Sequence, residues 1–141
     1  MKKIYVLFVL IIMMIFASTG ESPAAVEVAD VYQAENLLSQ YHNMLENGNT
    51  SGILSLLTGP MLKSNENLLR NNSKYARFLR ERYRNSNFTI VNYKPIDTSY
   101  SSLDVLITFN SQEKIWTRFT LALEKGKLRI YAEEEINVKE R

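Results

Sequence analysis

Acid–base and metal chemistry need side chains that titrate or ligate near neutral pH, and this chain has few of them. Its 141 residues contain one histidine, His42, and no cysteine. Without cysteine there is no disulfide staple, no thiol nucleophile, no thiolate metal site and no lipid-acylated cysteine. His42 follows Tyr41 and stands one turn after Leu38, a place from which an imidazole could shuttle a proton at the border of a pocket. No partner for it is visible, so it reads as a half-wet residue on a helix flank. A zinc site would need a second nitrogen or sulfur ligand, and a calcium loop would need an Asp-x-Asp-x-Asp-Gly run; both are missing. Glu133-Glu134-Glu135 could bind a cation only by converging, yet neighbouring residues of a strand point to opposite faces, so the run reads as a solvated strand end. Neither a phosphate-cradling glycine loop nor a Ser-His-Asp set occurs. The expectation is a protein with no catalytic residue, no metal and no cofactor.

The densest charge lies in "KYARFLRERYRNSNF", residues 74–88, with five cationic and four aromatic side chains. At helical spacing Tyr75, Phe78, Leu79 and Tyr83 fall on one side, while Lys74, Arg77, Glu81 and Arg84 run along another. This predicts a helix that roofs a sheet with its aromatic face and keeps its back wet with arginines. An anion-binding surface is the sharper alternative, for phospholipid head groups or envelope polymers. The whole chain carries a net charge of only +2, which does not suit a nucleic-acid binder.

The start of the chain sets its expected address. Lys2 and Lys3 precede an apolar run over residues 4–16, and small residues follow. This is the pattern of a secretory signal, and the run is shorter than the roughly 20 residues that span a bilayer. Residues 1–24 are expected to be a signal peptide cut near Ala25, leaving residues 25–141 as a single domain in the periplasm or outside the cell. The alternative is a membrane anchor formed by residues 4–17, the one membrane contact foreseen.

From residue 25 on, Val31, Ala34, Leu38, Tyr41 and Leu45 make one apolar helical stripe, with Asp30 as N-cap and Asn47-Gly48 as stop. A short helix follows, capped by Thr50 or Ser51 and ended by Gly59-Pro60. The helix of residues 74–84 is the third. After Asn85 the period changes from 3.6 to 2, giving four strands joined by turns at "SQ" and "KG", an antiparallel meander. Its inner face carries Phe88, Ile90, Leu103, Val105, Ile107, Phe109, Phe119 and Ile130. The opposite parity puts Tyr93, Trp116, Arg118, Arg129 and Tyr131 on the outer face, a composition that suits an interface, with a homodimer as its simplest form. The fold class is therefore α+β, about three N-terminal helices on a curved four-stranded antiparallel sheet.

At this point the chain resembles the nuclear transport factor 2-like superfamily, which includes SnoaL-like cyclases, ketosteroid isomerases and many exported domains. The resemblance rests on "LLSQYHNMLENGNTSGILSLLTGPM" and on the strand, Lys-Gly turn and strand of "FTLALEKGKLRI", and it covers most of residues 28–136. It implies a cone-shaped, cystatin-like fold with a pocket between sheet and helices, and dimers formed through the outer sheet face. For that pocket Tyr41, Tyr75, Asn92 and Thr117 are the candidate polar contacts, around a small apolar or amphipathic ligand. Enzymes of the superfamily keep an acid, base or histidine inside the cone. Here the inward parity supplies no acid or base before Glu134, so the expected function is exported binding or interaction without chemistry.

Overall fold

The computed structural model describes residues 23–138, with side chains described from Val31 onward. The expected signal, residues 1–24, lies outside the described residues except for its last two. The chain divides into two units, Met1–Asp30 and Val31–Arg141; the described part of the first is helical backbone from Pro23. Among the described residues, no helix is long and apolar enough to cross a membrane.

Four helices precede the sheet: α1 (Pro23–Asn47), α2 (Thr50–Leu56), α3 (Gly59–Asn71) and α4 (Ser73–Tyr83). Helix α1 begins at Pro23, not after an Asp30 cap, because proline is well placed in a first turn and the alanines and glutamate beyond it are good helix formers. Its stripe packs as the spacing requires, with Ala34, Leu37, Leu38, Tyr41 and Leu45 buried. The cap of α2 is Asn49, whose Oδ1 accepts from the Gly52 amide at 3.0 Å, rather than Thr50 or Ser51. Gly59-Pro60, expected only to end α2, instead opens α3. A proline lacks the amide that a first turn leaves unused, so it fits the start of α3, whereas α2 has already ended at Leu56 with Leu57 as its C-cap. Asn72 then caps α4 through the Lys74 amide at 3.1 Å.

The sheet follows in sequence order, β1 (Asn87–Pro95), β2 (Tyr100–Thr108), β3 (Lys114–Glu124) and β4 (Lys127–Glu135), every pair antiparallel. Lys125 and Gly126 close the β3–β4 hairpin with φ of 49° and 78°, the left-handed pair that a two-residue turn requires. The Ser111-Gln112 turn is broader than expected: residues 109–113 form the connection, closed by the Phe109 amide donating to the Glu113 carbonyl at 2.9 Å. Edge strand β4 is bridged at Ile130 by the backbone of Leu57 and Thr58, which occupies the edge at that point.

Phe119, Leu57, Leu103, Leu121, Ile130 and Val105 form the centre of the core. The predicted inner face of β2 and the middle of β3 hold. Two one-residue register shifts change the rest. In β1, Ile90 pairs with Val105 and Asn92 with Asp104, so Val91 is extra. In β4, the consecutive residues Leu121 and Thr120 of β3 pair with Ile130 and Ala132, so Tyr131 is extra. Each bulge reverses the parity of everything beyond it.

Candidate functional site

The β4 bulge builds the site. Strict alternation from Ile130 would turn Ala132 and Glu134 inward. With Tyr131 extra, Glu133 sits opposite Phe119 and Glu135 opposite Thr117, both on the inner face. An acidic pair that alternation had sent outward thus enters the cone.

A cavity of about 380 Å³ opens to solvent there. Its walls come from α3 (Met61, Asn65), α4 (Arg82, Tyr83) and the inner face of the sheet, with Thr117, Glu133 and Glu135 as its polar floor. The deep end of the cone is filled instead. Phe119 meets Tyr41 edge-on at 6.0 Å and Phe88 at 6.4 Å, and Tyr83 lies 5.5 Å from Phe109. The pocket for a small apolar or amphipathic ligand implied by the resemblance is therefore corrected to an open-mouthed cavity with a polar floor.

Glu133 is the centre of this arrangement. The Tyr41 hydroxyl donates to its Oε2 at 3.3 Å. Water reaches Glu133 through the cavity mouth, so its surface counts as exposed, yet protein surrounds it on its other sides. The walls govern its charge more than the opening does: enclosure pushes the carboxyl above its usual range, and the Tyr41 hydrogen bond opposes this only in part. Three phenols are held up in turn. Burial raises Tyr41, Tyr75 and Tyr83, and the charge of Glu133 adds to each. A carboxyl raised above its usual range beside a hydroxyl donor can accept or hold a proton, or can pair with a cation.

Of the four candidate pocket residues, three lie on the inner side. Tyr41 is buried against Glu133, Thr117 lines the cavity, and Tyr75 is half-buried close enough to feel the Glu133 charge. Asn92 does not belong: the β1 bulge turns it to the outer face, exposed, where it hydrogen-bonds Asp104. By the same shift Tyr93, expected outside, pairs with Leu103 and packs against the core.

The other interface candidates separate as well. Trp116 lies on the outer face beside Leu106 and Thr89. Arg118 pairs with Asp104 through two hydrogen bonds of 2.7 and 3.0 Å. Arg129 reaches the Ser55 carbonyl at 2.9 Å, and Tyr131 packs on Gly59 and edge-on to Tyr100. These last two residues fasten β4 to the helices rather than extend a patch around Trp116.

His42 is half-buried, as expected, but it does have partners. It stacks on Phe88 at 4.2 Å and its Nε2 meets the Ser86 hydroxyl at 2.8 Å, with Glu46 at 4.0 Å from the same nitrogen. Burial lowers its pKa more than Glu46 raises it. On α4, Leu79 is buried but Phe78 is 52% exposed, stacked on Tyr75. A larger groove, about 480 Å³ between α1, α2 and the β3–β4 hairpin, is lined by no carboxylate or phenol among the described residues. Among the described residues no group of three metal-ligating side chains converges.

No family profile matches the chain, and no curated protein matches it by sequence. Solved structures do. The NTF2 design Rd1NTF2_05, carrying five substitutions, matches with a TM-score of 0.52 at 11% identity, over 72% of this chain and 95% of the design. An NTF2-like protein of Campylobacter jejuni matches at 0.49 and 14% identity, over 70% and 97% of the two chains. The intermembrane space region of the chloroplast protein ARC6 matches at 0.42 and 12%, over 74% and 95%. The chain has a nuclear transport factor 2-like fold, four helices on a four-stranded antiparallel sheet. Likeness at this identity speaks for the fold and not for chemistry.

Proposed function

We propose that the protein is an exported small-molecule-binding module whose working site is the open end of the cone. One observation carries this reading: Glu133 lines an open cavity of about 380 Å³ and is hydrogen-bonded by Tyr41. Concave sites with a few polar groups set in apolar walls are where small ligands bind. Export rests on the two lysines and apolar run at the start of the chain. Native mass spectrometry of the protein recovered from the exported fraction tests both parts. The expected result is a chain beginning near Ala25 that carries a small-molecule mass, lost when Ile115→Trp fills the cavity. A bare wild-type chain, or a bound mass that survives Ile115→Trp, would refute the ligand cavity.

A second reading is favoured by the same carboxyl. A carboxyl raised above its usual range beside a phenol donor suits proton transfer at a carbon acid, which makes an isomerase-type enzyme the alternative. Glu133→Gln separates the two. A binding module loses affinity with that change, whereas an enzyme keeps its ligand and loses turnover.

A further inference from the structure

We propose that the cone cavity selects an organic cation, a small ligand carrying a protonated amine. The inference rests on the ligand-cavity reading and adds the charge of the occupant. Glu133 and Glu135 stand two residues apart on β4 with both side chains on the inner face, about 7 Å apart along the strand. Among the described residues neither has a cationic partner. The one cation in the lining is already engaged: Arg82 makes hydrogen bonds of 2.7 and 3.2 Å to Glu113 and lies 3.7 Å over the Phe109 ring. The floor and wall otherwise offer acceptors. The Asn65 amide nitrogen is spent on the Met61 carbonyl at 2.9 Å, which leaves its oxygen, and Thr117 adds a hydroxyl.

An ammonium group has three donors and no acceptor, and so complements this lining. A carboxylate ligand would face two negative charges with no free cation. A metal ion would find the same two carboxylates, but among the described residues no third carboxylate or histidine converges with them. Ile107, Ile115 and the Tyr83 ring would instead cover the hydrocarbon part of an amine, with the aromatic face adding attraction for its charge.

Three probes on one carbon frame test this: cyclohexylmethylamine, cyclohexylmethanol and cyclohexanecarboxylate, titrated into the isotope-labelled full chain at low salt and followed by NMR. The amine should shift the amides of Thr117, Glu133 and Glu135 and bind at least about 10-fold tighter than the alcohol. The carboxylate should leave those amides unmoved. Glu133→Gln and Glu135→Gln should each weaken the amine by about 10-fold or more and so narrow its lead over the alcohol. If the alcohol binds as tightly as the amine at the same amides, the cation inference fails and the ligand cavity stands. If the amine binds both variants as it binds the wild type, the inference fails as well. If no probe moves the cavity amides, the inference and the ligand-cavity reading both fail.

Discussion

Gly59→Ala probes the contact of Tyr131, the extra residue of the β4 bulge beyond which Glu133 turns inward. Gly59 has φ of +52°, and a Cβ built there would lie 2.6 and 2.8 Å from two carbons of the Tyr131 ring. Two costs follow. A left-handed conformation costs an L-residue about 1–2 kcal/mol, of which about 0.4–1 kcal/mol is returned because alanine has less freedom to lose on folding. Displacing a packed ring costs about 1–3 kcal/mol more. Tyr131 cannot simply swing away, because its ring also meets Tyr100 edge-on at 5.2 Å. The substitution should therefore destabilise the domain by about 2–4 kcal/mol, the sum of the backbone and packing costs. In a Tyr131→Ala background only the backbone part should remain, roughly 1 kcal/mol. Urea denaturation of the four proteins gives the coupling energy directly. If Gly59→Ala costs the same in both backgrounds to within about 0.5 kcal/mol, the ring is not what the glycine accommodates and the argument is wrong.

Phe119→Ala should cost about 3–5 kcal/mol in the same urea assay, since a fully buried ring between Tyr41 and Phe88 leaves a cavity that its neighbours cannot close. Stability should vary with pH through two groups of opposite sign. Burial lowers the His42 pKa from 6.5, so its contribution is present above pH 6.5 and lost as pH falls through the folded value; His42→Gln should flatten the profile there. Enclosure raises the Glu133 pKa from 4.5, so its contribution is full below pH 4.5 and lost as pH rises through the folded value. Glu133→Gln should accordingly be more stable than the wild type at pH 7, and a less stable variant would contradict the reading of Glu133 as an enclosed carboxyl. Tyr41→Phe keeps the ring contact and removes the one hydrogen bond that holds Glu133 down. The carboxyl carbon of Glu133, followed by NMR, should then titrate at higher pH than in the wild type, and an unchanged midpoint would contradict the Tyr41 contact.

Periodicity alone located the α1 stripe, the break at Asn47-Gly48, the four strands and the Lys125-Gly126 turn. These are local properties: a helix repeats every 3.6 residues, a strand every two, and a turn needs particular φ values that few residues adopt. Helix α3 was harder to see because Gly59-Pro60 reads as a terminator, and the dipeptide carries no mark telling whether a second helix begins there. Phe78 was misplaced for a related reason. Spacing fixes the side of the helix, but how far the sheet extends beneath it decides whether that side is covered.

The candidate site itself was hidden in the parity of two strands. Tyr41, Tyr75 and Thr117 were legible because they sit on regular stretches. Asn92, Tyr93, Glu133 and Glu135 were not, because each lies beyond a bulge. What the sequence determined by itself is the set of elements and the apolar faces they must bury, since both follow from the repeat of each segment. What only the tertiary structure decided is which way the ends of β1 and β4 face. The extra residues Val91 and Tyr131 become visible only when a partner strand is laid alongside, and the second of them turns an exposed-looking acidic strand end into the floor of a cavity.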